Sequence, residues 1–172
     1  WLGFSCFAYS ATHYVVPNNP NAATPYTSWA TAATNLQAAI NASAAGDTVL
    51  VSNGVYASGS TVVENTTNRV AITNAVTVRS VNGPAGTVIH GQGIMRCVYL
   101  IDGAALSGFT LTNGTASSGG GAYCASTAAT ISNCVLSGNS AGGNGGGAFN
   151  GRLDNCTLAG NRSTSGDRKS VV

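Results

Sequence analysis

The sequence predicts an all-β solenoid, namely a right-handed parallel β-helix with one N-terminal amphipathic capping helix. The first observation is internal repetition, because segments beginning at Ala105, Thr130 and Arg152 align column by column at spacings of 25 and 22 residues. The second is alternation of apolar and polar residues within these segments, which is typical of half-buried strands. Self-similarity at about 20–50 residues indicates a solenoid, in which each repeat buries its apolar face against its neighbours.

Three columns of the repeat are apolar, and we expect them to stack in the interior of the solenoid. They comprise Leu106, Ile131 and Leu153, then Phe109, Cys134 and Cys156, and finally Leu111, Leu136 and Leu158.

Two further columns contain only Gly or Asn, the residues that most readily adopt positive φ. We therefore predict left-handed bends at both columns. A third strand is predicted at 121–123 and 147–149, each after a Gly-rich turn. Three short strands in every coil, with no helix between them, favour a parallel β-helix over a leucine-rich repeat or a propeller blade. The bend columns comprise Gly108, Asn133 and Asn155, and then Gly114, Asn139 and Asn161.

One helical pattern precedes the repeats. Ser28 is its predicted N-cap, and Gly46 is predicted to end it. The face predicted to be buried contains Trp29, Ala33, Leu36, Ala39 and Ile40 at helical spacing. We interpret this helix as a cap over the open apolar end of the solenoid, where it blocks edge pairing.

Strands are predicted from the end of this helix onward. The first is Thr48–Ser52, followed by a turn at Asn53-Gly54, and further strands are expected at 72–78, 87–90 and 97–101. With the three repeats, this gives four to five coils.

The chain divides by composition into four parts. Residues 1–10 are apolar and end in a small-x-small pattern, so we interpret them as the remnant of a signal peptide. Residues 11–27 form an extended, Pro- and Asn-rich N-terminal segment. Residues 28–166 contain the helix and the coils, which we expect to be incomplete at the C-terminus. Residues 167–172 are strongly charged and match the translation of a common sequencing adapter, so we interpret them as an artefact.

The chain resembles the pectin-lyase-like superfamily of right-handed parallel β-helices, in its bacterial secreted or surface form. The resemblance rests on Gly46-Asp-Thr-Val-Leu-Val51, on Gly108-Phe-Thr-Leu-Thr-Asn-Gly114, and on the paired Gly-Gly-Ala and Asn-Cys-x-Leu-x-Gly-Asn units. The last pair is also similar to repeats of autotransporter-type passenger domains. This resemblance covers most of residues 14–161 and implies a fold more than a chemistry.

Composition argues against nucleic-acid binding and indicates no membrane-spanning helix. Charged residues make up 7% of the chain, against about 25% in an ordinary soluble domain. The formal net charge is +2, and no basic cluster precedes the final residues, which argues against nucleic-acid binding. No apolar run reaches the roughly 18 residues that a membrane-spanning helix needs.

The cysteines predict buried thiols. There are five, an odd number that a complete disulfide framework cannot use. Cys134 and Cys156 share one inward column within reach of each other, but parallel side-chain directions fit disulfide geometry badly. No Cys/His spacing typical of a metal site is present.

The acidic residues give no catalytic pair. Outside the final segment the chain contains only Asp47, Glu64, Asp102 and Asp154. Asp47 and Asp102 occupy turn positions, and Asp154 is expected to point outward in the place of Ser107 and Ser132. Polysaccharide lyases and hydrolases of this fold need paired carboxylates, Ca²⁺ ligands or an Arg/Lys base.

Other reactive residues are equally dispersed. His90 is expected in a turn and His13 in the N-terminal segment, and neither has a partnered nucleophile. A lyase base could be any of four arginines, and the sequence selects none. The Gly-rich stretches at 119–122 and 142–147 lack the Lys-Ser/Thr of a phosphate loop. We predict no catalytic, cofactor-binding or metal residues. The arginines are Arg69, Arg79, Arg96 and Arg152.

Two functions remain open. The first is a non-catalytic, secreted or cell-surface bacterial module, adhesin- or passenger-like, that contacts polysaccharide or surface glycans. The second is the N-terminal part of a polysaccharide lyase or glycoside hydrolase with its catalytic coils elsewhere. The regular, charge-poor repeats favour the first. An open strand-rich end also predicts end-to-end self-association.

Overall fold

The computed structural model describes residues 10–165, so the residues proposed as signal-peptide remnant (except Ser10) and as adapter artefact lie outside the described part. The chain forms a parallel β-solenoid of about five turns with one short helix, as predicted. The elements are β1 Thr12–Val15, α1 Leu36–Ala42, β2 Thr48–Val51, β3 Gly54–Tyr56, β4 Thr61–Val63, β5 Thr66–Ile72, β6 Thr77–Ser80, β7 Thr87–His90, β8 Arg96–Leu100, β9 Ala105–Ser107, β10 Thr110–Thr112, β11 Thr115–Ala116, β12 Ala122–Cys124, β13 Thr130–Ser132, β14 Val135–Ser137, β15 Ser140–Ala141, β16 Ala148–Phe149, β17 Arg152–Asp154, β18 Thr157–Ala159 and β19 Arg162–Ser163.

The strands form four sheets along the solenoid. Sheet A has the order β1-β2-β6-β9-β13-β17, and sheet B has the order β3-β7-β10-β14-β18. Sheet C runs β4-β5-β8-β12-β16, and sheet D runs β11-β15-β19. All pairs are parallel except β4 with β5, which form an antiparallel hairpin. Sheet D adds a fourth short strand to each later coil, where the sequence predicted three.

The predicted columns stack in register. Leu106 pairs with Ile131, which pairs with Leu153 on the next coil. Leu111 and Leu136 stack in the same way and are fully buried. The core is one continuous cluster from Val15 to the last coil, because each coil leaves an apolar edge that only the next coil covers.

One bend column is confirmed and the other is wrong. Gly108, Asn133 and Asn155 have φ of 80°, 52° and 49°, as predicted. The second bend lies one residue earlier, at Asn113, Gly138 and Gly160.

Asn139 and Asn161 occupy their column for another reason. The Asn139 side chain donates to the Leu111 carbonyl at 2.9 Å and accepts from the Gly114 N–H at 2.8 Å, both on the preceding coil. Asn161 donates to the Leu136 carbonyl at 2.8 Å. These side-chain amides therefore form hydrogen bonds with backbone groups at a corner between sheets, where strand pairing does not provide a partner.

The N-terminal segment is more ordered than predicted. Residues 12–15 form β1, which pairs in parallel with β2, so Thr48–Val51 is the second strand and not the first. The predicted 72–78 strand also divides, because β5 ends at Ile72 and β6 begins at Thr77.

The capping helix is shorter than predicted. It spans Leu36–Ala42, and its N-cap is Asn35, whose side chain accepts from the Ala38 N–H at 2.9 Å. Ser28 instead accepts from the Thr31 N–H in a local turn. Trp29 is 45% exposed, so it does not belong to the buried helical face. Leu36, Ala39 and Ile40 do pack into the core as expected.

Glycine permits close approach of the backbone at the corner between sheets C and D. A Cβ atom at Gly120 would overlap the Ser140 carbonyl of the next coil, and one at Gly146 would overlap the Arg162 carbonyl. Gly120 and Gly146 are therefore packing positions, where only a hydrogen side chain fits.

Candidate binding surface

The outward side of sheet A presents a row of short side chains, one from each coil. Buried Val49, Val78 and Leu106 alternate with these positions along their strands, which places the row on the outer surface. The first row comprises Thr12, Thr48, Thr77, Ala105, Thr130 and Arg152 in pairing register, and the neighbouring outward row comprises Tyr14, Leu50, Arg79, Ser107, Ser132 and Asp154. We call the hydroxyl-bearing positions of these two rows the hydroxyl face.

Polar ladders continue along the corner of the hydroxyl face. The Ser132 hydroxyl donates to the Ser107 hydroxyl at 3.0 Å across one coil step. Asn155 donates to the Asn133 side chain at 2.7 Å across the next step. The last three coils therefore repeat a hydrogen-bonding group at the spacing of neighbouring strands, roughly 4.8 Å.

Charged side chains lie beside the hydroxyl positions in two places, at exposed Arg79, which pairs with Ser107, and on the last coil. Arg152 and Asp154 form an ion pair of 3.0 Å there, with both side chains largely exposed. An exposed pair of this kind contributes little to stability. Asp154 does occupy the place of Ser132, since the two pair in register.

The outer side of sheet C has a different character. The rings of Tyr99, Tyr123 and Phe149 stack on successive coils at 5.8 and 5.0 Å between centroids, with interplanar angles of 5° and 19°. We call them the aromatic ladder. Tyr99 is buried, whereas Tyr123 and Phe149 are half-buried. Stacking at these distances stabilises the coil-to-coil contact.

Two arginines that the sequence left undistinguished are buried near this ladder. The Arg96 guanidinium lies 4.7 Å from the centre of the Tyr123 ring and donates to Asn68 and to the Gly119 and Ser118 carbonyls. Burial lowers the pKa of Arg96, although nearby ionisable groups oppose this. The Arg96 guanidinium therefore binds the carbonyls of one turn while it stacks on the face of the Tyr123 ring.

Arg69, on strand β5 next to the strand of Arg96, makes similar contacts. Its guanidinium donates to the carbonyls of His90 and Gly59 and to the Gln92 side chain. Burial lowers its pKa as well. Within residues 10–165, both guanidinium groups therefore donate to carbonyl and amide oxygens, and neither contacts a carboxylate.

Glu64 is the carboxylate nearest the aromatic ladder. It lies in the tight turn of the β4–β5 hairpin with φ of 50°, and its Oε1 accepts from the Tyr99 hydroxyl at 3.2 Å. Burial raises the pKa of Tyr99, and the Glu64 charge raises it further.

Asp47 ties the N-terminal segment to the solenoid. Its carboxylate accepts from the N–H groups of Ala11 and Ala44, each at 2.7 Å, and lies 3.2 Å from His13 Nε2. Burial alone would raise the pKa of Asp47, but these hydrogen bonds and His13 outweigh it and lower the pKa. His13 Nδ1 also contacts the Pro25 carbonyl at 2.6 Å, so a single side chain holds two loops.

The remaining predicted residues lie apart from one another. Asp102 accepts from the Ser126 hydroxyl at 2.5 Å in an exposed turn. His90 accepts at Nδ1 from the Gln92 N–H and lies 2.9 Å from the Asn113 amide. No group of three or more His, Cys, Asp or Glu side chains suited to a metal occurs within residues 10–165.

Sequence reasoning missed the aromatic ladder and the His13–Asp47 contact. The ladder did have a signal, because its three residues are 24 and 26 positions apart, close to the repeat period. The His13–Asp47 contact joins segments outside the repeat, so no periodicity pointed to it.

Within the described chain, no helix is long and apolar enough to cross a membrane. Comparison with protein-family models, curated proteins and solved structures found no match for this chain.

Proposed function

We propose that this chain is a non-catalytic, secreted or cell-surface bacterial β-helix module, adhesin- or passenger-like, that contacts glycans through its hydroxyl face. The observation that carries the proposal is the repetition of hydroxyl-bearing side chains along the outer side of sheet A. A polysaccharide presents hydroxyls at regular intervals, and hydroxyl side chains that recur on coils stacked roughly 4.8 Å apart can meet them repeatedly. Many weak contacts along one polymer add through high effective concentration.

The position of the carboxylates supports the same proposal. The Asp47 carboxylate already contacts Ala11, Ala44 and His13. Asp102 lies in a separate turn. Glu64 lies at the aromatic ladder on sheet C, and Asp154 lies on sheet A. A glycosidase needs two carboxyl groups roughly 5 to 9.5 Å apart on either side of one bond, and this distribution over separate elements does not favour that chemistry.

A binding assay with insoluble polysaccharides tests the proposal. We expect the full chain to be retained on at least one polymer, and the double variant Thr77→Ala/Thr130→Ala to reduce the retained fraction several-fold. The matched control is Thr112→Ala/Thr157→Ala, which removes two hydroxyls of similar exposure from the outer side of sheet B. Equal losses in both variants would contradict a role for the hydroxyl face. Release of reducing ends or unsaturated sugars would identify an enzyme and overturn the proposal.

A further inference from the structure

An exposed tryptophan lies beside the outer side of sheet A, at its N-terminal end. Trp29 is 45% exposed, and it is the only aromatic residue among the exposed large apolar side chains of residues 10–165. Its ring contacts the ring of Tyr14, with 4.5 Å between the ring centres and an angle of 60° between the planes. Tyr14 points outward from β1, because its neighbours His13 and Val15 are buried. The two rings therefore adjoin the hydroxyl face.

Hydrogen bonds on both sides of this tryptophan fix the turn that carries it. The Asn19 side chain donates to the carbonyls of Ala30 and Ala32, at 3.1 and 2.8 Å. The Ser28 hydroxyl lies 2.8 Å from the Thr31 hydroxyl and accepts from the Thr31 N–H at 3.2 Å. The backbone is therefore held in place while the indole stays open to solvent. A ligand that meets such a ring does not have to order the turn first, which favours binding.

The aromatic ladder on sheet C provides a contrast. Tyr123 stacks on Tyr99 and on Phe149, so both faces of its ring are covered by other rings. Trp29 has a single aromatic neighbour among the described residues, and Tyr14 meets it at a steep angle instead of stacking on it. The ladder thus uses its ring faces for packing between coils, whereas the indole of Trp29 keeps ring surface available to a ligand.

The chemistry of an open indole beside hydroxyl groups points to one class of sugar. A hexopyranose whose substituents are all equatorial carries only C–H groups on the two faces of its ring, and such groups are attracted to the negative face of an aromatic ring. We propose that Tyr14 and Trp29 form an aromatic subsite for one β-1,4-linked hexopyranose unit of the cellulose or chitin class. This inference rests on the proposed function and specifies the sugar that the same surface takes.

The outward row of Tyr14 gives the next sugar units a path along sheet A. Leu50 and Arg79 follow Tyr14 in register, at roughly 4.8 and 9.6 Å. The exposed Arg79 guanidinium can donate to sugar hydroxyls, and Ser107 pairs with Arg79 on the next coil. A β-1,4-linked chain is straight and can follow this row, whereas an α-1,4-linked chain coils and leaves it.

Fluorescence of Trp29 tests the subsite directly. The chain contains two tryptophans, so Trp1→Phe leaves Trp29 as the only one. We expect a saturable change in its emission when this variant is titrated with cellohexaose or with chitohexaose, and no change with the α-1,4-linked maltohexaose. An equal response to maltohexaose would overturn the sugar class. No response to any of the three, from a chain that is retained on a polysaccharide, would overturn the subsite.

Retention on cellulose and on chitin is the second measurement. We expect Trp29→Ala to bind roughly five- to tenfold more weakly than the parent, because the stacking contact is lost. The matched control is Ile94→Ala, which removes an exposed apolar side chain outside sheet A and should bind like the parent. Circular dichroism of both variants checks that the fold is kept.

The outcomes separate this subsite from the proposed function. Unchanged retention of Trp29→Ala, together with reduced retention of Thr77→Ala/Thr130→Ala, would overturn the subsite and leave the hydroxyl face as the binding surface. Equal losses in Trp29→Ala and Ile94→Ala would also overturn it. A parent chain that no polysaccharide retains would overturn the proposed function, and the subsite with it.

Discussion

The N-terminal end of the solenoid is covered by other parts of the chain, whereas the C-terminal end consists of edge strands in the described residues. At the N-terminal end, β1 is bridged by Ala33, and the Gln37 side chain bonds both backbone groups of Ala71, as a neighbouring strand would. The hairpin strand β4 completes the edge of sheet C.

No equivalent cover lies on the last coil within residues 10–165. Strands β16, β17, β18 and β19 are each the last of their sheet. Leu153, Cys156 and Leu158 are only half-buried, whereas their counterparts one coil earlier are fully buried. The comparison shows that the repeated coils pack well against one another but cannot cover the last coil. Each coil exposes an apolar surface that the next coil must cover.

The largest effect is expected from breaking the contact between coils. Gly120→Ala would force a methyl group into the Ser140 carbonyl, and we expect it to lower the free energy of unfolding by about 3 kcal/mol or to prevent folding. Gly142→Ala is the matched control, since nothing lies within 4 Å of its Cβ position. Urea unfolding of both variants checks this. Similar midpoints for the two would contradict the close-approach account.

The next effect concerns the corner amides. Asn139→Ala removes the bonds to Leu111 and Gly114 and leaves both backbone groups buried, so we expect a loss of about 2 kcal/mol. Asn133→Gly changes an exposed bend residue with positive φ, and it should be nearly neutral in the same unfolding measurement. A loss for Asn133→Gly as large as that for Asn139→Ala would contradict this account, because glycine keeps the positive φ and the loss would then come from the exposed side-chain bonds of Asn133.

A smaller effect is expected at the covered end. Asp47→Asn weakens the contacts to Ala11, Ala44 and His13, and we expect a loss of about 1–2 kcal/mol at neutral pH. Because the folded-state pKa of Asp47 is lowered, its stabilisation is fully present above the unfolded-state pKa of about 3.9 and disappears as the pH falls through the folded value. The stability difference between parent and variant should therefore shrink below about pH 4. A difference that stays constant down to pH 2 would contradict this assignment.

The sequence could predict most of the repeated part because three apolar columns fix both register and burial. It could not place the second bend, because Gly and Asn replace each other for two reasons: positive φ, as at Asn133, and amide bonding to a neighbouring coil, as at Asn139. The helix prediction began too early because Ser28 makes a local turn that resembles a cap.

The candidate surface was less predictable than the fold. The hydroxyl face follows from strand alternation once the register is known, but the strand β1 that begins it lies in a segment that was predicted to be extended and was not assigned to the solenoid. The buried arginines bond to turn carbonyls, which have no signature in the sequence.

The most direct test of the difference between the two ends is light scattering of the full chain over a range of concentrations. We expect reversible association that Leu158→Lys, in the last strand of sheet B, strongly weakens. Val62→Lys, an exposed site on the covering strand β4, should leave association unchanged. Thr157→Lys repeats the test at an exposed position if Leu158→Lys unfolds. A monomer at every concentration, or association that only Val62→Lys reduces, would contradict the account.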